Sequence, residues 1–200
     1  MLGSLALRRA ACLLPCRGGG ERALKQIVLL RAVNVGGRNK LPMPALREAL
    51  GDAGMCEVQS YVQSGNLVLD SAAKPDALAR EVQGVIADGF GLQIDVVVRT
   101  RAELAKVVRH DPLGEAADQE KLYQVTFCAE KPHPAAVAKV AERAVEGERL
   151  LAHGREIYAW FPHGVGRSKL AAALGKQGLG TVATARNWST VNKLLALAGG

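Results

Sequence analysis

Two segments rich in glycine and amide side chains hold the residue types that could grip an anion: Asn34-Val35-Gly36-Gly37-Arg38-Asn39-Lys40 and Gln63-Ser64-Gly65-Asn66. A glycine pair behind an apolar run lets backbone N–H groups turn outward as a concave donor set, the arrangement behind anion-binding nests. Arg38 and Lys40 add charge, and Asn34, Gln63, Ser64 and Asn66 add neutral donors. Glycines and amides also satisfy ordinary tight turns. The hydrogen-bonding side chains here exceed what a turn needs, so these residues are ligand-binding candidates. The first segment lacks the Gly-Lys-Ser/Thr ending of a P-loop and the third glycine of a dinucleotide fingerprint.

A third candidate lies near the C-terminus. Gly164-Val165-Gly166-Arg167-Ser168-Lys169 precedes a helical pattern and would offer free N–H groups, a positive dipole end and two cations. Beyond it, Arg186, Thr190 and Lys193 are spaced to share one face of a final helix that Asn187 opens, with Trp188, Val191 and Leu195 on the apolar stripe opposite. Trp188 reads as core packing. Arg186 and Lys193 read as a solvated helix face or as ligand contacts.

Charge distribution favours a local anion site. The 200 residues carry a formal net charge of +7. Residues 26–154 are nearly balanced, whereas residues 155–200 hold six basic side chains against Glu156 alone. A duplex-wide groove would call for basic residues along the whole chain. Other chemistry is less supported. His110, His133, His153 and His163 show no metal-ligand spacing, and neither the cysteines nor the histidines suggest a metal or a cofactor. Ser64 and Ser168 have no histidine nearby in sequence to act as a base. Cys56 and Cys128 read as strand residues rather than reactive thiols. No motif identifies a reaction. Four cysteines without a disulfide framework suggest the cytoplasm, and no apolar run is long enough for a membrane span. Residues 1–25 read as a disordered leader, because Arg8-Arg9 interrupts the one stretch that could serve as a secretory signal.

The elements that must position these residues follow from periodicity. Residues 27–33 form a short apolar, partly β-branched run around Arg31, ended by Asn34 and Gly36-Gly37, which reads as a buried strand. A helix opening at Pro44, strands at 58–62 and 66–69 around a Gly65 hairpin, a helix from Pro75 to about Ala87 and a strand at 94–98 complete a β-α-β-β-α-β unit. After a linking helix at 102–108 the pattern recurs: strand 122–128, helix 134–145, strands 149–152 and 157–161, helix 167–176. A Gly/Thr-rich stretch, 178–185, stands where the last strand would be, and helix 187–197 follows. The prediction is an α+β protein: two ferredoxin-like (split β-α-β) subdomains with antiparallel sheets, an internal duplication over 26–100 and 101–200.

The motifs Leu30-Arg31-Ala32-Val33-Asn34-Val35-Gly36-Gly37-Arg38-Asn39-Lys40, Tyr61-Val62-Gln63-Ser64-Gly65-Asn66, Gly166-Arg167-Ser168-Lys169-Leu170 and Ala183 to Leu194, in that order, resemble the domain-of-unknown-function family numbered 1697 over about residues 26–197. The resemblance implies two ferredoxin-like subdomains and no particular activity.

In the split β-α-β topology the loop after the first strand and the hairpin between the second and third share one edge, so Asn34 to Lys40 should meet Gln63 to Asn66. The leading expectation is a small anionic or phosphorylated ligand between that edge and the basic C-terminal segment. The alternative is a single-stranded nucleic-acid-binding module that stacks bases on Tyr158 and Trp160. In a doubled protein, that sheet face is expected to pack on the other subdomain instead.

Overall fold

The computed structural model describes residues 23–37, 39–176 and 178–199. Residues 1–22 of the expected leader and Arg38 lie outside the described residues, while Leu24 and Lys25 already belong to the first strand.

The first half runs β1 (Leu24–Leu30), α1 (Met43–Asp52), β2 (Cys56–Tyr61), β3 (Asn66–Ser71), α2 (Pro75–Phe90) and β4 (Val96–Thr100). Its sheet has the order β2-β3-β1-β4, antiparallel throughout. After α3 (Arg101–His110) the second half repeats the plan with β5 (Tyr123–Cys128), α4 (Pro134–Ala141), β6 (Arg149–His153), β7 (Glu156–Trp160), α5 (Lys169–Gly175) and β8 (Ala183–Asn187), then α6 (Trp188–Leu197). The order β6-β7-β5-β8 reproduces the first sheet strand for strand.

Local chemistry explains the helix starts. Proline occupies the first turn of α1, α2 and α4, where its missing N–H would have no partner anyway. Helix α3 begins on a capping box: Thr100 Oγ1 accepts the Glu103 N–H at 3.2 Å, and the Glu103 carboxylate accepts the Thr100 N–H at 2.8 Å.

Burial follows strand alternation. Val28 and Leu30 of β1 pack with α1 and α2, while Ile27 and Leu29 face a middle core shared with the second sheet. That middle core holds Tyr123, Val125, Phe127, Tyr158 and Trp160, with Leu104 and Val107 of α3 and Trp188, Val191 and Leu194 of α6. A third cluster joins Ile157, Ala159 and Phe161 to Leu170 and Leu174 of α5. The two halves therefore share one interface, and the apolar run Ile27 to Leu30 within β1 is covered on both faces.

Two expectations need correction. The stretch 178–185 does not replace the last strand: Ala183–Asn187 is β8, paired with β5 from Cys128↔Ala183 to Gln124↔Asn187. Two alanines, an arginine and an asparagine carry little strand signal beside Thr184, and the pairing comes from β5. Arg186 accordingly lies on a strand rather than on the final helix, and Asn187 is that helix's cap. Helix α4 also stops at Ala141, short of Val145.

Gly65 at the first hairpin has φ +73°, and a Cβ there would lie 2.4 Å from Val33 Cγ2 and 2.7 Å from Leu30 Cβ. Gly65→Ala therefore combines a left-handed alanine with overpacking and should destabilise the fold by about 2–5 kcal/mol. Gly51→Ala, with open space around it, is the control and should be neutral or stabilising by up to about 1 kcal/mol. Equal urea midpoints for the two variants would contradict this account.

Candidate functional site

The two polar loops do meet. Asn34 (φ 54°) stitches them together: Nδ2 donates to Leu41 O at 2.8 Å and to Gln63 O at 2.7 Å, and Oδ1 accepts from Leu41 N at 2.9 Å. Asn39 Nδ2 donates to Ala32 O at 3.1 Å, so loop 31–41 is closed by its own amide side chains. Ala32, Asn34, Asn39 and Val62 all have positive φ, and among the described non-glycine residues only Glu57 and Asp111 share that feature. A left-handed β-branched residue such as Val62 is a true outlier, and strain of this kind collects at functional sites.

This edge presents Gly36, Gly37, Lys40, Gln63 and Ser64 to solvent, flanked by the exposed side chains of Val35 and Val62. It offers one described cation, side-chain and backbone donors, and two apolar contacts.

Arg186 reaches the same edge from beneath and is fully committed to protein. Its Nε donates to Asn66 Oδ1. Nη1 donates to Thr184 Oγ1 and Ala185 O, both at 2.7 Å, and Nη2 to Leu30 O at 2.8 Å, Gly65 O at 3.3 Å and Ser64 O at 3.4 Å. Asn66 is itself buried, its Nδ2 donating to Ser64 Oγ at 2.9 Å and Tyr61 O at 3.2 Å. No described carboxylate pairs with Arg186, and burial lowers its pKa to about 10, so it remains a cation at neutral pH. It ties the halves together and lends positive potential to the hairpin, but has no donor left for a ligand. Arg31 makes a second tie: Nη1 pairs with Asp95 at 3.2 Å and Nη2 donates to Gly175 O at the end of α5.

The remaining candidates do not all converge. Arg167 and Lys169 are exposed near the start of α5, the opposite end from Gly175, and Ser168 caps that helix by accepting the Ala171 N–H at 3.0 Å. Asn187 Oδ1 accepts from Thr190 N at 2.9 Å and from Ser189 Oγ at 3.2 Å, which makes it the cap of α6. Lys193 is exposed on that helix, and Trp188 stacks on Tyr123 with ring centroids 4.7 Å apart. Tyr158 and Trp160 are 1% and 6% exposed within the middle core, so stacking bases on them would require the halves to separate. Cys128 is a free, buried cysteine whose thiol is pushed up to about 11 by burial, which makes it a poor nucleophile.

Sequence reasoning missed a charged cluster at the junction of α3 and the β6–β7 turn. Arg99, 1% exposed, donates through Nε to Glu156 at 2.9 Å, through Nη1 to Val98 O at 2.9 Å and through Nη2 to Cys128 O at 2.6 Å. Burial lowers its pKa, and Glu156 opposes that shift. Arg155 Nη2 pairs with Glu103 at 2.6 Å, and Nη1 donates to Ala129 O at 3.1 Å. The one signal in the sequence was the Thr100-to-Glu103 capping box.

Among the described residues, no group of three or more His, Cys, Asp or Glu is placed to hold a metal ion, and no helix is long and apolar enough to cross a membrane. Compared with known proteins, residues 24–158 match the family model described as "Protein of unknown function (DUF1697)". The fold resembles the solved structure of a conserved bacterial protein from Streptococcus pneumoniae at 21% identity and a TM-score of 0.72, covering 88% of this chain and 99% of that one. No curated protein matches.

Proposed function

The chain belongs to the DUF1697 family of proteins of unknown function, and on its doubled fold we propose that the edge formed by loop 31–41 and the 62–65 turn binds a small anionic or phosphorylated ligand. The observation that carries this reading is the concentration of left-handed, non-glycine backbone in these two facing loops, held in place by Asn34. Strain kept in a loop that is otherwise well hydrogen-bonded is retained for what the loop presents. Here the loops present Lys40, the Gln63 and Ser64 side chains and the exposed Gly36-Gly37 backbone, above the uncompensated charge of Arg186. Arg186 and Asn66 act in this scheme as supports beneath the site. Arg167, Ser168 and Lys169 fall outside it.

The test is thermal melting against inorganic phosphate, sugar phosphates and nucleotides, since a ligand that binds only the native state stabilises it. A true ligand at a hundred times its Kd adds about 2.7 kcal/mol, a rise of about 5–11 °C for a chain of this size. Lys40→Ala and Gln63→Ala should each reduce that rise at fixed ligand concentration without lowering the ligand-free Tm. A ligand response untouched by both substitutions would remove the edge as its origin.

A further inference from the structure

We propose that the cleft between α3 and the β6–β7 turn is a second, independent binding site, in which Lys106, His110 and His153 hold the oxyanion of a small phosphate- or carboxylate-bearing molecule.

The cleft encloses about 310 Å³ and takes its walls from α3, the end of β4 and the β6–β7 hairpin. It is lined by Arg99, Lys106 and Arg155 against Glu103 and Glu156, which leaves one net positive charge. Both carboxylates are engaged: Glu156 by the buried Arg99 at 2.9 Å, and Glu103 by Arg155 at 2.6 Å and by the capping box of α3. These pairs fix the walls and neutralise the acids that would otherwise repel an anion.

Three donors remain. Lys106, His110 and His153 have no hydrogen-bond or ion-pair partner among the described residues. Lys106 and His110 are four apart on α3 and share a face. The His110 ring lies 4.0 Å from that of His153, at an interplanar angle of 30°. Each imidazole carries a ring N–H, and Lys106 an ammonium, so an oxyanion is the partner that can accept from all three. The two rings lie side by side and tilted, with Lys106 one turn back along α3, so an anion with several oxygens can engage them together. Val107 and the Tyr158 ring, which meets His110 edge-on at 5.6 Å, provide an apolar wall for the body of the ligand. The groups that face the histidines from the neighbouring elements are Arg99, Glu103, Lys106, Arg155, Glu156, Tyr158 and, just beyond α3, Asp111.

The chain has four histidines, so imidazole Hε1 resonances of the full-length protein can report on this site. Inorganic phosphate and acetate are titrated separately at pH 6, with sodium chloride at matched ionic strength as control. The His110 and His153 signals should move saturably with one common Kd while those of His133 and His163 stay still. Saturation by phosphate alone identifies a phosphate-bearing ligand, and saturation by acetate as well identifies a carboxylate. Lys106→Gln, at an exposed position, should weaken binding at least fivefold with the remaining spectrum unchanged. Lys40→Ala should leave these shifts intact, which separates this site from the loop edge. Shifts that are linear, equal in chloride, common to all four histidines or indifferent to Lys106→Gln would overturn the proposal.

Discussion

Replacing Arg186 with methionine should lower folding stability by about 3–5 kcal/mol, the range for leaving several part-buried acceptors of one hydrogen-bond network without their donor. Methionine keeps the length and apolar stem but supplies no donor. The carbonyls of Leu30 and Gly65 and the Oδ1 of Asn66 then lose their partner inside the protein, and each such loss costs about 1–3 kcal/mol. Relief from burying a guanidinium with no described counter-ion offsets part of that cost, so the total falls below the sum of the parts. Arg186→Lys should recover less than half, because one ammonium cannot reach acceptors spread over Leu30, Gly65, Asn66 and Thr184. Asn66→Ala should be strongly non-additive with Arg186→Met, since the two residues share a bond. Urea denaturation gives all of these values, and an Arg186→Met variant within about 1 kcal/mol of the parent would show that the clamp does not hold the halves together. The same variant should also blunt the ligand response of the loop edge, whose hairpin turn Arg186 anchors.

Glu156→Ala should be comparably severe, at about 3–5 kcal/mol, because it strands Arg99 as an uncompensated charge in a nearly solvent-free position. The informative variant is the double substitution Arg99→Met with Glu156→Leu. It removes both charges and their desolvation cost together, and apolar replacements of similar volume for a buried pair are often close to neutral. The double variant should therefore be clearly more stable than Glu156→Ala. Some loss will persist, since Arg99 also donates to Val98 O and to Cys128 O. If the double variant proves as unstable as the single one, those carbonyl bonds rather than the ion pair hold β4 to the β5 and β7 strands.

Much of this architecture was legible in the order of residues. The apolar run Ile27 to Leu30 of β1, the prolines opening α1, α2 and α4, and the glycine of the β2–β3 hairpin are local signals legible in the sequence. The repeated order of strands and helices then implied the duplication, and split β-α-β topology alone brought Asn34 to Lys40 beside Gln63 to Asn66. Strand β8 was not legible, because Ala183–Asn187 becomes a strand only through its ladder with β5. For the same reason Arg186 read as the face of a helix, whereas its partner Asn66 lies 120 residues earlier in the chain. The Arg99–Glu156 pair and the neighbouring His110 and His153 come from three separate segments, with no spacing to connect them. Periodicity reports which face of an element is buried. Which acceptor a long polar side chain meets depends on the groups that packing leaves unpaired in the other half of the molecule, and only the assembled tertiary structure decides that.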